Sequence, residues 1–358
     1  MMNHAFTLLI SFALVASASC TASEKQPTAS KPKSSAVMTS AAPETPAAAP
    51  TPVASNTQED IESTCLGNMS KIIGRDDRQM KSICKEVKVL EGCRSVEGKP
   101  IYHYDRMSPN ESGKRILTFA LIHGDEGPSG TVARTWMERL SKIDPQNHWR
   151  IVPVLNPDGW AKSKRVNARG IDLNRNFPTA NWDMESQKRW VVSEDKDPRR
   201  FPGAVAASEP ETKCAMTHID NFHPDFIISI HTPFGVLDFD GPRMKFPEYN
   251  DLPWFSLGNF PGSMGRYMWI ERRVPVLTIE LKGNDVAQKL DKFDRLQDVT
   301  GVVAIQSEKI LKEDKAVKSG DASPKKKALN AENQTPKLAE YTESMGDSSS
   351  GRKSSRIR

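Results

Sequence analysis

The sequence has no long apolar run. Hydrophobic residues make up 37% of its 358 positions and the mean hydropathy is −0.55, low for a fully packed globule, so part of the chain is expected to lie outside any core. The N-terminal apolar stretch, Ala5 to about Ala16, is too short to cross a bilayer as an ordinary helix. A basic stripe is missing as well. The net charge of +5 and the pI near 8.8 invite a nucleic-acid reading, but 11 Lys/Arg against 7 Asp/Glu fall between Lys312 and Arg358. That tail carries +4 of the +5, and the near-neutral body excludes nucleic acid as a partner on charge. Cysteine is scarce: there are five, an odd number whose meaning depends on compartment.

The first residues contain no Lys or Arg, yet MMNHAFTLLISFALVASASC has the apolar stretch and small residues of a signal peptide. Small residues leading into Cys20 resemble the lipobox of bacterial lipoproteins, although Ser17 stands where Leu or Val is usual. Residues 1–20 are therefore expected to be a signal peptide of lipoprotein type, with simple cleavage near Ala18 as the alternative. The expected location is periplasmic, or the bacterial membrane surface through lipid on Cys20. Residues 21–60 are rich in Ala, Pro, Ser and Thr and hold six of the 25 prolines, a composition that gives an extended disordered linker. At about 3.1 Å per residue, 40 residues reach on the order of 120 Å, enough for a tethered domain to touch the cell wall. Residues 312–358 read as a disordered basic tail, either solvated or weakly attached to an anionic surface.

Between residues 84 and 311 short apolar runs alternate with helical periodicity, predicting an α/β domain with a mixed, mostly parallel sheet flanked by helices on both faces. Ile116–Ile122, Trp149–Leu155, Phe226–Ile230 and Val274–Leu281 read as buried strands. Thr131–Ile143, Glu209–Asn221 and Ala287–Leu311 read as helices, the second started by a Ser208 cap. Residues 61–83 look like a short helical cap before this domain.

Chemistry-bearing residues stand at the strand ends, where open α/β sheets place their sites. His123-Gly-Asp-Glu126 sets an imidazole and a carboxylate three residues apart in a glycine-bracketed turn, and His231 ends the strand FIISI. Nitrogen and oxygen donors of this kind suit zinc with an open position for water. The stretch RVNARGIDLNRNFP, Arg165 to Pro178, concentrates guanidinium groups suited to gripping a carboxylate or steadying an oxyanion. Glu280 lies inside the apolar run LTIEL, a position costly for an ionised group unless it faces a polar site; next to water activated by a metal it would be a general base.

Taken together, HGDE, VPVLNPDGW, RVNARGIDLNRNFP, SEPET, ISIH and PGSMG with VPVLTIEL closely resemble, in order, the M14 family of zinc carboxypeptidases. The bacterial branch of murein tripeptide amidases and cell-shape carboxypeptidases is the most similar. The resemblance implies one zinc ion held by His123, Glu126 and His231, with Asp172 on the far nitrogen of His123. It implies Glu280 as base and proton shuttle, Arg165 polarising the scissile carbonyl, Asn174 and Arg175 gripping the terminal carboxylate, and Ser263 contacting substrate. The mobile tyrosine of the digestive enzymes has no evident counterpart, since Tyr249 and Tyr267 match it poorly. Export and tether length point to a peptidoglycan stem peptide as substrate. Alternatives are an N-acyl amino acid deacylase of the desuccinylase or aspartoacylase kind, and a tethered wall-binding protein that no longer turns over.

His103, His148, His218 and His223 read as surface or helix-end residues, and Trp182 and Trp190 as packing residues that could line a cleft. If lipid consumes Cys20, four cysteines remain in an oxidising compartment. A bond from Cys65 to Cys84 or Cys93 is the preferred pairing, with Cys214 in the remaining one.

Overall fold

The computed structural model describes residues 57–283 and 290–318. The signal peptide with Cys20, nearly all of the linker and most of the basic tail lie outside them. The elements are α1 (Gln58–Met69), α2 (Asp77–Glu86), β1 (Lys88–Arg94), β2 (Pro100–Arg106), β3 (Arg115–Phe119), α3 (Gly127–Leu140), β4 (His148–Val152), α4 (Pro157–Ala161), α5 (Trp182–Val192), α6 (Pro210–Phe222), β5 (Phe226–His231), β6 (Phe234–Asp240), α7 (Met264–Arg266), β7 (Val276–Lys282) and α8 (Leu290–Lys318).

Seven strands form one mixed sheet in the order β1-β2-β4-β3-β5-β7-β6. The four central strands run parallel, and antiparallel strands close both margins. Alternation along each strand splits the apolar side chains between two faces. Ile116, Ile228 and Leu277 enter one buried cluster with α1, α2, α3 and α8, whereas their neighbours Leu117, Ile227 and Val276 enter another with α6. The expected mixed sheet with helices on both faces is what the chain forms.

The expected central strands are all present, offset by one to three residues. The antiparallel β1, β2 and β6 were not among the expected strands. Their sequences, KVLEGCR, PIYHYDR and FGVLDFD, mix polar with apolar residues and so lack the continuous apolar run of a doubly covered strand. Ser208 does not cap α6: the N-cap is Glu209, with Pro210 in the first turn, and the Ser208 hydroxyl donates to Glu209 Oε1 at 2.8 Å. The last helix runs on to Lys318, past the expected end at Leu311.

Residues 61–83 span most of α1 and all but the end of α2. Ile61, Met69, Met80 and Ile83 pack into the same cluster as Trp136 and Ile151. Arg134, buried in α3, donates from Nη1 to the carbonyls of Met69 and Ile72 at 2.6 and 2.7 Å and from Nε to Glu138 at 3.0 Å. It thereby ties the end of α1 and the turn that follows it to α3. A disulfide joins Cys65 to Cys84, the preferred pairing, and a second joins Cys93 on β1 to Cys214 on α6.

Candidate active site

The parallel strands β3, β4, β5 and β7 all end on one rim of the sheet. Beyond β3 the chain is held by Ala120 N to Val152 O at 3.0 Å and Asn156 N to Leu121 O at 2.9 Å, then turns through His123 and Gly124 into α3, with Glu126 at the N-cap. Gly124 permits this turn because a Cβ there would lie 2.0 Å from the carbonyl carbon of Gly159. His231 is the last residue of β5 and is paired across the sheet with Glu280 of β7.

His123, Glu126 and His231 converge, with one donor atom from each within 4.8 Å of the others. Glu126 Oε1 lies 2.8 Å from His123 Nδ1 and Glu126 Oε2 lies 3.0 Å from His231 Nδ1, while the two Nδ1 atoms face each other at 3.3 Å. Two imidazole nitrogens and a carboxylate aimed at one point form a donor set that fits zinc. The opposite nitrogens are also fixed, His123 Nε2 by Asp172 Oδ1 at 3.0 Å and His231 Nε2 by Ser229 Oγ at 2.8 Å, as second partners of ligating histidines commonly are. Ser229 escaped the sequence reading, although its position two residues before His231 puts it on the same strand face.

Asp172 is fully buried and is shared. Its Oδ2 accepts from Arg165 Nε and Nη2 at 3.1 and 2.9 Å, and Arg165 Nη1 also reaches Glu126 Oε1 at 3.3 Å. Burial opposes ionisation of Asp172, but Arg165 and His123 outweigh it and hold the carboxyl well below its usual range. The loop carrying these residues is braced from behind. Asn167 Nδ2 donates to Glu209 and Glu211 at 2.7 and 3.0 Å, and Glu211 also accepts from Val96 N at 3.0 Å. The SEPET segment and the turn after β1 that carries Val96 therefore act as scaffold for the arginine loop.

A cavity of about 470 Å³ opens over the convergence point and is lined by Arg165, Asn174, Arg175, Ser263 and Glu280, among others. Asn174 Oδ1 accepts from Met264 N at 2.9 Å, tying the arginine loop to the PGSMG loop. The Ser263 hydroxyl caps the short α7. Burial, reinforced by the Glu126 charge, raises Glu280 to about 8. No tyrosine among the described residues lines the cavity: Tyr249 and Tyr267 are both buried, the latter stacked on Phe177. Trp182 and Trp190 do not line it either, and donate instead to the carbonyls of Arg175 and Asp197, at 2.8 and 2.9 Å. Lining residues that the motifs did not single out include Arg189, Arg199, Arg200, Asp238 and Asp240. The signal for the last two was an alternation, Asp-Phe-Asp closing a strand whose odd residues are otherwise apolar.

His103 and His218, expected near the surface, are instead buried, and both ring nitrogens of His218 lack a hydrogen-bond partner. Their rings meet edge to face, 4.9 Å between centroids.

The sequence model for zinc carboxypeptidases matches residues 78–240. Murein peptide amidase A of Escherichia coli K12 is 34% identical over 182 residues, covering 49% of this chain and 73% of that protein. Its namesake from Vibrio campbellii is 29% identical over 203 residues, covering 52% and 77% respectively. Among solved structures, thrombin activatable fibrinolysis inhibitor superposes with a TM-score of 0.52 at 16% identity, covering 65% of this chain and 72% of that one, which is a likeness of fold.

Proposed function

The chain belongs to the M14 zinc carboxypeptidase family of peptide hydrolases and is similar to murein peptide amidases, and from that premise we propose that it trims peptidoglycan stem peptides in the bacterial envelope. The observation that carries the reading is the convergence of His123, Glu126 and His231 beneath one cavity that Glu280, Arg165 and Arg175 also line. A zinc ion held by those three residues would supply Lewis-acid polarisation of the scissile carbonyl and lower the pKa of water.

The chain's own groups do the rest. Arg175, with Asn174 beside it, binds the terminal carboxylate of the peptide and so sets which amide reaches the reacting atoms. The Arg165 guanidinium, oriented by Asp172, steadies the negative charge that develops on the carbonyl oxygen. The Glu280 carboxylate takes the proton of the attacking water and passes it to the departing amine nitrogen. Asp172 and Ser229 keep the two imidazoles in the orientation the donor set needs.

The apolar run Ala5–Ala16 before Cys20 and two disulfides support an exported enzyme, because disulfides persist in oxidising compartments. Cleavage at Cys20 with acylation would leave a wall-length tether between lipid and enzyme.

The zinc-supplied protein should remove a carboxyl-terminal residue from defined muropeptides, read by mass spectrometry. Glu280→Gln should lower kcat by about 10²–10⁴-fold while keeping one zinc per chain. Unchanged muropeptides would end the wall assignment, and full activity in Glu280→Gln would end the assignment of the base.

A further inference from the structure

We propose that Cys93, Cys214 and His218, with His103 as fourth donor, form a second zinc site when the Cys93–Cys214 disulfide is reduced. The site lies at the sheet margin where β1 and β2 meet α6, and it uses none of the residues that line the active-site cavity. Sequence spacing and strand register bring the four together. Cys214 and His218 stand four residues apart on α6, about one turn and so on one face. Ile101, two residues before His103 and on the same face of β2, enters the apolar cluster that holds Cys93 and Cys214. His103 thus faces α6, and its ring meets that of His218 edge to face, 4.9 Å between centroids.

One ligand atom from each of Cys93, Cys214 and His218 lies within 4.8 Å of the others. In a tetrahedral zinc site with bonds of about 2.0–2.3 Å, donors stand about 3.3–3.8 Å apart, so small side-chain adjustments close the set. Two sulfurs and two imidazole nitrogens are a common structural donor set for zinc. The imidazoles give the second, independent observation. All four residues are buried, and both ring nitrogens of His218 and Nδ1 of His103 lack a hydrogen-bond partner. Buried polar atoms left unpaired are costly, and a metal ion satisfies them. Asp105 stands 3.6 Å from His103 Nε2 and is gripped by Arg150 at 2.7 and 2.9 Å, the place of the carboxylate that commonly backs a ligating histidine.

What this histidine pair lacks while the disulfide is closed is an anionic donor, and reduction supplies two. A dithiol gives two electrons and two protons to the S–S bond, becoming a disulfide itself, and leaves two thiols. Zinc then displaces both thiol protons and binds two thiolates and two neutral imidazoles. The two negative charges cancel those of the ion, so the buried site carries no net charge. In either state the same two sulfurs tie β1 to α6, whose first residues brace the arginine loop through Glu209 and Glu211.

The test compares two redox states of the full chain. Protein unfolded in urea is either left disulfide-bonded or reduced by a phosphine, which becomes a phosphine oxide with oxygen from water. Each sample is refolded by dilution into excess zinc without air, then desalted. The reduced chain should retain one more zinc than the bonded chain. The difference between the states is what is read, so the result does not depend on how fully the active site is loaded or on the peptidase reading. His218→Leu and Cys214→Ser should each abolish the extra zinc, and His218→Leu keeps both disulfides available if Cys214→Ser fails to fold. With cobalt(II) in place of zinc, the reduced wild type should show a thiolate charge-transfer band in the near ultraviolet that Cys214→Ser loses. No extra zinc on reduction, or a reduced chain that does not refold in zinc, overturns the proposal. So does an extra zinc that survives in either variant, because the ion is then held elsewhere.

Discussion

Two buried histidine pairs lie in this molecule at the same ring separation, 4.9 Å between centroids, yet they are chemically opposite. His123 and His231 have every ring nitrogen engaged, by Glu126, Asp172, Ser229 or one another. His103 and His218 lie beside the Cys93–Cys214 disulfide; Asp105 approaches His103 Nε2 only at 3.6 Å, and His218 has no polar partner. Burial alone lowers the basicity of an imidazole, and it does so at His218, His103 and His231. At His123 burial and Arg165 pull the same way, but Glu126 and Asp172 outweigh them and the net shift is upward. Carboxylates brought in by the loops beyond the strand ends, rather than histidines brought together, are what separate a metal-competent site from packed core.

The largest expected effect tests that contrast directly. His231→Ala should abolish stoichiometric zinc, measured on the purified protein, and lower peptidase activity by at least about 10³-fold, whereas His218→Leu should retain both. Zinc loss in His218→Leu would erase the distinction between the pairs. A smaller effect should follow from Asp172→Asn, which keeps the shape beside His123 but removes the charge shared with Arg165. Loss of such a partner typically weakens metal affinity by about 10- to 100-fold, to be read by competition with a chelator. An unchanged affinity would mean that Asp172 serves the loop and not the donor set.

The sequence made one pair legible and hid the other for a physical reason. His123, Glu126, His231 and Glu280 interrupt or terminate apolar runs, where a polar residue demands an explanation, and strand ends in an α/β sheet share a rim. His218 follows Thr217 in the helix PETKCAMTHIDNF, but its spacing from Cys214, Ala215 and Phe222 puts it on the buried face, a periodicity that shows only when the helix is read as a whole. Asp238 and Asp240 were missed because β6 is a margin strand whose alternation looks like ordinary half-exposure. Its far face turned out to be the cavity. Likewise Ser208 is the better N-cap for α6 from sequence, but it is held by Asn176, whose Nδ2 donates to Ser208 Oγ at 3.1 Å and whose Oδ1 accepts from Glu209 N at 3.2 Å. The central strands and their rim chemistry are local properties of the chain; margins and caps depend on contacts distant in sequence.

The smallest expected effect concerns stability and belongs to the silent pair. An imidazole buried without partners costs on the order of 1–3 kcal/mol, so His218→Leu, which offers similar bulk and no polar atoms, should be neutral or stabilising by about 1 kcal/mol at pH 7. The difference should grow in acid. His218 is held well below its ordinary value of 6.5, so below that pH the unfolded chain binds a proton that the native state refuses. Wild-type stability therefore falls as pH drops below about 6.5, by up to about 1.4 kcal/mol per pH unit for this one site. His103, shifted the same way, continues to act in the variant. Urea unfolding of wild type and His218→Leu at pH 7 and pH 5.5 should show the variant losing less stability between the two. Equal losses would mean that His218 is protonated in the native state, and the contrast with His231 would then rest on its neighbours' charges alone.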